Sequence, residues 1–496
     1  MHTRHPALRI ITALFALVVI ITAWILVIDA GRGVEQRQME RDGVPVTLLL
    51  PADASHAPGV VVAHGFAGSA QLMRTWGLAL ADAGFVVALP DLSGHGRNRA
   101  PLDWWNDPEQ FQRDVRSALA LLGEQPEVDA GRLSLLGHSL GAGAVIDAAM
   151  ETTQPIRAVV AVSPGQSEVT PESPPNLLLM AGAWEGPFLE AAQTLLEKAG
   201  GPGGDPAAGT ARALEVIPGV EHIGVLFSPQ SHAASIDWLA QVSEIAPPQG
   251  NGVSPMLWWL LNLVGVLVLW RALAPFWVDG DRLRLDTAQA EIQGRTRRPL
   301  VRAAISGVLA TLLLIGIGEV IHLDGIGGIL VSPQFALWLA LAGGIWLALG
   351  TRPPRPEWPD LAWGPIMLGV LVLGFGVMGA ALWLAWWPPL HRLPYLPILT
   401  LLILPWAVAF ATALQGRTGW RGLGVGLGVA LITMVTVGVA AAIVDGMMFL
   451  LIILPLLPVM LALPLLVSRP VQRPWADGFA LAAFLGWTLT VMFPLI

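Results

Sequence analysis

Two hydrophobic rhythms divide this chain. Between about Gly31 and Gly250, short apolar runs alternate with stretches in which apolar positions recur every three or four residues. Short runs bounded by turn residues read as buried strands, and the longer period reads as amphipathic helix. The pattern predicts strands at 44–50, 60–63, 85–89, 132–136, 158–162, 177–180 and 214–217, with the first as an edge strand. Helices are predicted near 69–83, 108–122, 187–199 and 231–242, and the glycine-rich stretch 200–204 is a surface loop. Strand and helix in alternation imply a mostly parallel sheet with helices on both faces.

Outside that region the apolar runs are much longer. One covers 10–28, and eight more lie near 254–275, 303–321, 329–350, 364–387, 396–414, 423–443, 447–468 and 478–496. About 20 apolar residues suffice to cross a bilayer as a helix. The first run lacks the short apolar core and small-x-small site of a cleaved signal peptide, so it is expected to remain as an anchor. The expected organisation is a cytoplasmic tail and anchor (1–30), an α/β domain (31–245), a linker (246–254) and an all-α membrane domain of about eight spans (255–496).

Composition agrees. The chain has 496 residues, 54% hydrophobic and only 13% charged, against about 25% charged in soluble globular proteins. Part of it therefore lives in lipid. A net charge of −8 argues against a nucleic-acid partner. The absence of cysteine excludes disulfides, thiol chemistry and cysteine–zinc sites. No motif calls for a metal or cofactor, so none is expected. Arginines in the short loops fall on one side of the predicted spans: Arg4 and Arg9, then Arg271 to Arg302, Arg352 and Arg355, Arg417 and Arg421, Arg469 and Arg473. Only Arg392 lies in a short loop on the other side. The positive-inside rule then puts the N-terminus in the cytoplasm and the α/β domain outside a multi-pass cell membrane.

The chemistry centres on Gly137-His138-Ser139-Leu140-Gly141. It stands directly behind an apolar strand and directly ahead of the small-residue run Ala142-Gly143-Ala144-Val145-Ile146. Strand, G-x-S-x-G, helix is the setting of a nucleophile elbow, whose tightness excludes bulk at Gly137 and Gly141.

With that motif the segment from about 44 to 242 resembles the α/β-hydrolase family, in the style of its serine esterases and lipases. The resemblance implies nucleophile, acid and histidine in that order, with Ser139 as nucleophile. His222, in the loop after the last strand, is the base expected from it. His232, at a helix start, is its nearest rival. Glu185, in Ala181-Gly182-Ala183-Trp184-Glu185, stands where the family usually carries aspartate; Glu168 after the preceding strand is the alternative acid. The loop His64-Gly65-Phe66 looks like the family's H-G-x motif. It implies that the backbone N–H groups of Phe66 and Leu140 form the oxyanion hole, with Gly65 admitting the substrate and His64 bracing the loop. Asp91-Leu92-Ser93-Gly94-His95-Gly96-Arg97 resembles a structural family loop, and His95 is not expected to react.

The expected activity is extracytoplasmic cleavage of an acyl ester, lipid or envelope-borne, through an acyl-enzyme. An envelope acyltransferase using the same triad, a peptidase, and a transporter or binding protein with a non-catalytic hydrolase-fold domain are the other readings. The stretch between 162 and 177 is too short for a large lid. Trp104-Trp105 is expected at the pocket rim, at the bilayer interface or in a helix start. Glu319, His322 and Asp324 form a polar cluster near a span's outer end.

Overall fold

A computed structural model describes residues 6–103, 105–246, 255–278, 297–323, 325–378, 387–417 and 419–496. The chain divides into two compact units. One comprises Ile25–Trp258 with Pro494–Ile496; the other comprises Met1–Trp24, Trp259–Met378 and Trp387–Phe493, each as far as its residues are described. Trp104, Asp324, the linker from 247 to 254 and Arg282, Arg284 and Arg295 fall outside the described residues.

After the helix α1 (Pro6–Ala30), the first of these units is an eight-stranded sheet. Its strands are β1 (Val34–Arg41), β2 (Val44–Pro51), β3 (Ala57–Ala63), β4 (Val86–Pro90), β5 (Val128–His138), β6 (Ile156–Val162), β7 (Leu177–Gly182) and β8 (Arg212–Ile217). They lie in the order β1-β2-β4-β3-β5-β6-β7-β8. From β4 onward neighbours are parallel, while β2 runs antiparallel to both β1 and β4. The helices are α2 (Ala70–Asp82), α3 (Gln110–Gly123), α4 (Leu140–Glu151), α5 (Gly186–Lys198) and α6 (Pro229–Val242).

Alternate side chains of each strand point to opposite faces, and that alternation builds two cores. Val61 and Ala63 of β3 pack with α3, α4 and α5, whereas Val60 and Val62 pack with α2 and α6. Burial on both faces is why the central strands read as continuous apolar runs rather than alternating ones.

One expectation fails: 44–50 is not the edge. β2 is the second strand, and the edge is β1, which pairs along its whole length with β2. Its sequence, Val-Glu-Gln-Arg-Gln-Met-Glu-Arg, has no apolar run, because an edge strand exposed to solvent needs none and is protected by charge.

The other unit is helical. Among the described residues, seven helices are long and apolar enough to cross a membrane: Pro6–Ala30, Met256–Phe276, Arg298–Gly318, Trp358–Val377, Tyr395–Leu414, Trp420–Ile443 and Pro474–Met492. Two further predicted spans hold shorter helices, Ser332–Ala348 and Leu457–Ser468. The stretch before Leu457 is broken into a short helix, Leu450–Ile453, and a 3-10 turn, Leu454–Leu456, as befits a segment with prolines at 455 and 458. Trp358–Leu371 continues as a π turn over Val372–Val377. Such a turn changes the carbonyl pattern, and side chains from Met256–Phe276 take up the carbonyls. Trp259 Nε1–H donates to Phe375 O at 3.0 Å and Asn262 Nδ2–H to Gly374 O at 3.1 Å.

Candidate active site

Ser139 sits at the turn between β5 and α4 with φ 55° and ψ −118°. A non-glycine residue there costs on the order of 1–3 kcal/mol and persists only when its surroundings impose it. They do: Ser139 N–H donates to Val162 O at 2.8 Å, and its own carbonyl accepts from Ala142 N–H at 2.9 Å. The flanking glycines are required by contact. A side chain at Gly137 would collide with the Gly141 carbonyl, and one at Gly141 would stand 2.5 Å from His64 O.

His222 lies in the loop after β8, and its Nε2 is 3.0 Å from Ser139 Oγ. Its Nδ1 is 3.2 Å from Glu185 Oε1, although the N–H is angled off the carboxylate and makes no aligned hydrogen bond at rest. Apo contacts of this kind are commonly loose. Residues 139, 185 and 222 thus converge from three separate strand ends.

Glu185 closes the turn after β7 and is 4% exposed. Its extra methylene, relative to aspartate, is absorbed by folding back on its own turn. Gly182 N–H donates to Oε2 at 3.0 Å, and Ser163 Oγ–H donates to the carboxylate at 2.7 and 2.9 Å. Ser163 directly follows β6, with φ 49°. Sequence reasoning passed over it, since a serine after a strand carries no motif. Glu168, the alternative acid, lies apart as an exposed partner of Lys198 at 3.4 Å.

Two other residues missed by the sequence hold the imidazole. Phe188 of α5 stacks on His222, with centroids 4.1 Å apart and planes at 23°. His138 Nε2–H donates to the His222 carbonyl at 3.0 Å. Only a protonated Nε2 satisfies that carbonyl, and burial together with the nearby His222 pushes the His138 pKa well below its ordinary value.

The His64-Gly65-Phe66 loop lies against the serine. A Cβ on Gly65 would stand 3.0 Å from Ser139 Cβ, so the backbone passes as close as glycine allows. His64 is fully buried; Nδ1–H donates to Gly65 O at 2.8 Å and Nε2 accepts from Leu92 N–H at 3.1 Å, tying this loop to the next. Burial lowers its pKa, which suits a neutral brace. His95 is likewise fully buried, donating from Nδ1 to Ser93 O at 2.9 Å. Asp91 accepts from Ala70 N–H and Arg97 Nε–H, and so fixes the same loop. His232 hydrogen-bonds Leu226 O at 2.9 Å and packs on Trp76, away from Ser139. Trp105 is 78% exposed. In the helical unit Glu319 and His322 are exposed at a helix end. Among the described residues no cluster of metal-ligating side chains occurs.

Sheet order, elbow and crossing helices define the class: this unit has the α/β-hydrolase fold. Residues 54–206, less than half of the chain, match the family described as "Serine aminopeptidase, S33". Epoxide hydrolase A of Mycobacterium tuberculosis is 33% identical over 130 residues, 26% of this chain and 38% of that protein. An uncharacterized protein of the same organism is 31% identical over 172 residues, 34% of this chain and 55% of that one. The chain thus spans only part of the curated relatives it matches. A Pyrobaculum calidifontis esterase structure aligns with 47% of this chain and 92% of its own at 15% identity, with a TM-score of 0.36.

Proposed function

We propose that this chain is a membrane-embedded serine hydrolase that cleaves an acyl ester on the extracytoplasmic side through an acyl-enzyme. The observation that carries the reading is the contact series Ser139 Oγ–His222 Nε2–Glu185, at 3.0 and 3.2 Å. In this reading His222 takes the Ser139 proton as Oγ attacks the ester carbonyl carbon. The oxyanion accepts from the N–H groups of Phe66 and Leu140. His222 then returns the proton to the departing alkoxide, and Ser139 is left acylated. Water, deprotonated by His222, cleaves the acyl-enzyme and regenerates the hydroxyl. Glu185 holds His222 with Nδ1 protonated and stabilises the imidazolium. Ser163, His138 and Phe188 act as positioning residues. The apolar helices support membrane embedding, and the one-sided arginines support the orientation.

The test is labelling of the purified chain by a fluorophosphonate, together with turnover of p-nitrophenyl esters. Wild type is labelled and turns over; Ser139→Ala, eluting as a folded protein, does neither. Absence of labelling in folded wild type overturns the reading.

A further inference from the structure

We propose that the helical unit carries a binding slot for one phosphatidylglycerol molecule. The proposal rests on the membrane embedding of this unit and is independent of the chemistry at Ser139.

A cavity of about 170 Å³ lies between the helices Tyr395–Leu414, Gly419–Ile443, Leu457–Ser468 and Pro474–Met492. On Gly419–Ile443 its wall is formed by Gly422, Gly426 and Ala430, four residues apart and therefore on one face. The missing side chains open a furrow, which Leu461 and Leu465 border from the facing helix. A Cβ on Gly426 would already meet Leu465 Cδ1 at 3.3 Å.

The lining changes character at one end. Gln415 and Arg417 lie just past the end of Tyr395–Leu414, and Ser468, Arg469 and Gln472 lie around the end of Leu457–Ser468. An apolar furrow with two guanidinium groups at one end has the polarity of a phospholipid: acyl chain along the furrow, phosphate between the arginines. Asp477 also lines this cavity, and its Oδ1 is buried without a hydrogen-bond partner. A buried carboxylate oxygen calls for a donor. A glycerol headgroup carries hydroxyls that donate to it while the phosphate engages the arginines. The two arginines of the lining, Arg417 and Arg469, supply the positive charge that an anionic phosphate requires.

The experiment uses the full chain in detergent and counts retained lipids by native mass spectrometry. Phosphatidylglycerol and phosphatidylethanolamine are offered in equal amounts. Wild type is expected to retain the first at least about fivefold over the second, about 1 kcal/mol of preference. The double variant Arg417→Gln/Arg469→Gln loses that preference, while Arg421→Gln, outside the lining, keeps it. Gly426→Leu fills the furrow and lowers phosphatidylglycerol retention with both arginines in place. Equal retention of the two lipids by wild type, which would place an ammonium on Asp477, overturns the proposal. So does unchanged phosphatidylglycerol retention in Gly426→Leu, which serves if the double variant elutes as aggregate.

Discussion

The Ser163 hydroxyl lies 2.7 Å from Glu185 Oε2 and 2.9 Å from Oε1, between the ends of neighbouring strands. The two residues are 22 positions apart, and both are buried. This contact, with the Gly182 N–H, fixes a carboxylate whose side chain is longer than the one the fold usually employs there. If it matters for orienting His222, removing the hydroxyl lowers kcat/KM by about tenfold, the worth of one charge-assisted hydrogen bond. Ser163→Ala and Ser163→Gly both lack the hydroxyl, but glycine accepts φ 49° without strain. Both variants are expected to lose activity equally in ester kinetics, with glycine the more stable of the two in thermal melts. Activity that follows stability instead makes Ser163 merely structural.

The two acid candidates separate cleanly by mutation. Glu185→Gln keeps the shape but not the charge facing the imidazole, and should lower kcat on the order of a thousandfold. Glu168→Gln removes an exposed ion pair with Lys198 and should leave kcat and melting temperature unchanged. The opposite pattern assigns the acid to Glu168.

Stability should respond to pH in two opposed ways. His138 is buried with a lowered pKa, so below about pH 6.5 the unfolded chain binds a proton that the folded chain refuses. Its contribution is complete above that pH and is lost on acidification. Asp114 behaves in reverse. Burial raises its pKa to about 6, against the favourable Ser93 N–H bond at 2.7 Å. The folded state therefore holds a proton that the unfolded state has released, and stability declines as pH rises from about 4 through 6. Asp114→Asn should melt above wild type at pH 8 and level with it at pH 4. A gain that is the same at both pH values removes Asp114 as the cause.

Gly137→Ala should be among the most damaging small substitutions in the chain. Its methyl group would meet the Gly141 carbonyl, backbone against backbone, where no rotamer relieves the clash. We expect a loss of at least about 2–3 kcal/mol and loss of fluorophosphonate labelling. A variant that melts and labels like wild type would falsify the tight-turn account.

Sidedness has its own measurement. A compartment reporter inserted in the exposed 200–204 loop should report an extracytoplasmic position. A cytoplasmic signal overturns the orientation read from the arginines.

Much of this architecture was legible in the sequence. Seven of the eight strands are marked by short apolar runs, and Ser139 is announced by small residues on both sides of a strand-to-helix turn. β1 was not legible, because a polar edge strand is recognised by its hydrogen-bonding partner and not by its own composition. Its presence moved β2 inward by one place. The apolar stretch at 447–468 reads as one span, yet its prolines break it into shorter pieces.

By itself, the sequence determined the class of fold, the membrane-length helices and the chain order of Ser139, Glu185 and His222. Those depend on local periodicity, on turn sterics and on position along the chain. Tertiary structure alone decided that Glu185 rather than Glu168 faces His222, and that Ser163, His138 and Phe188 surround that pair. These are contacts between ends of different strands, and strand ends meet only after the sheet order is set. Burial then turns a serine with no motif into the donor that holds the Glu185 carboxylate.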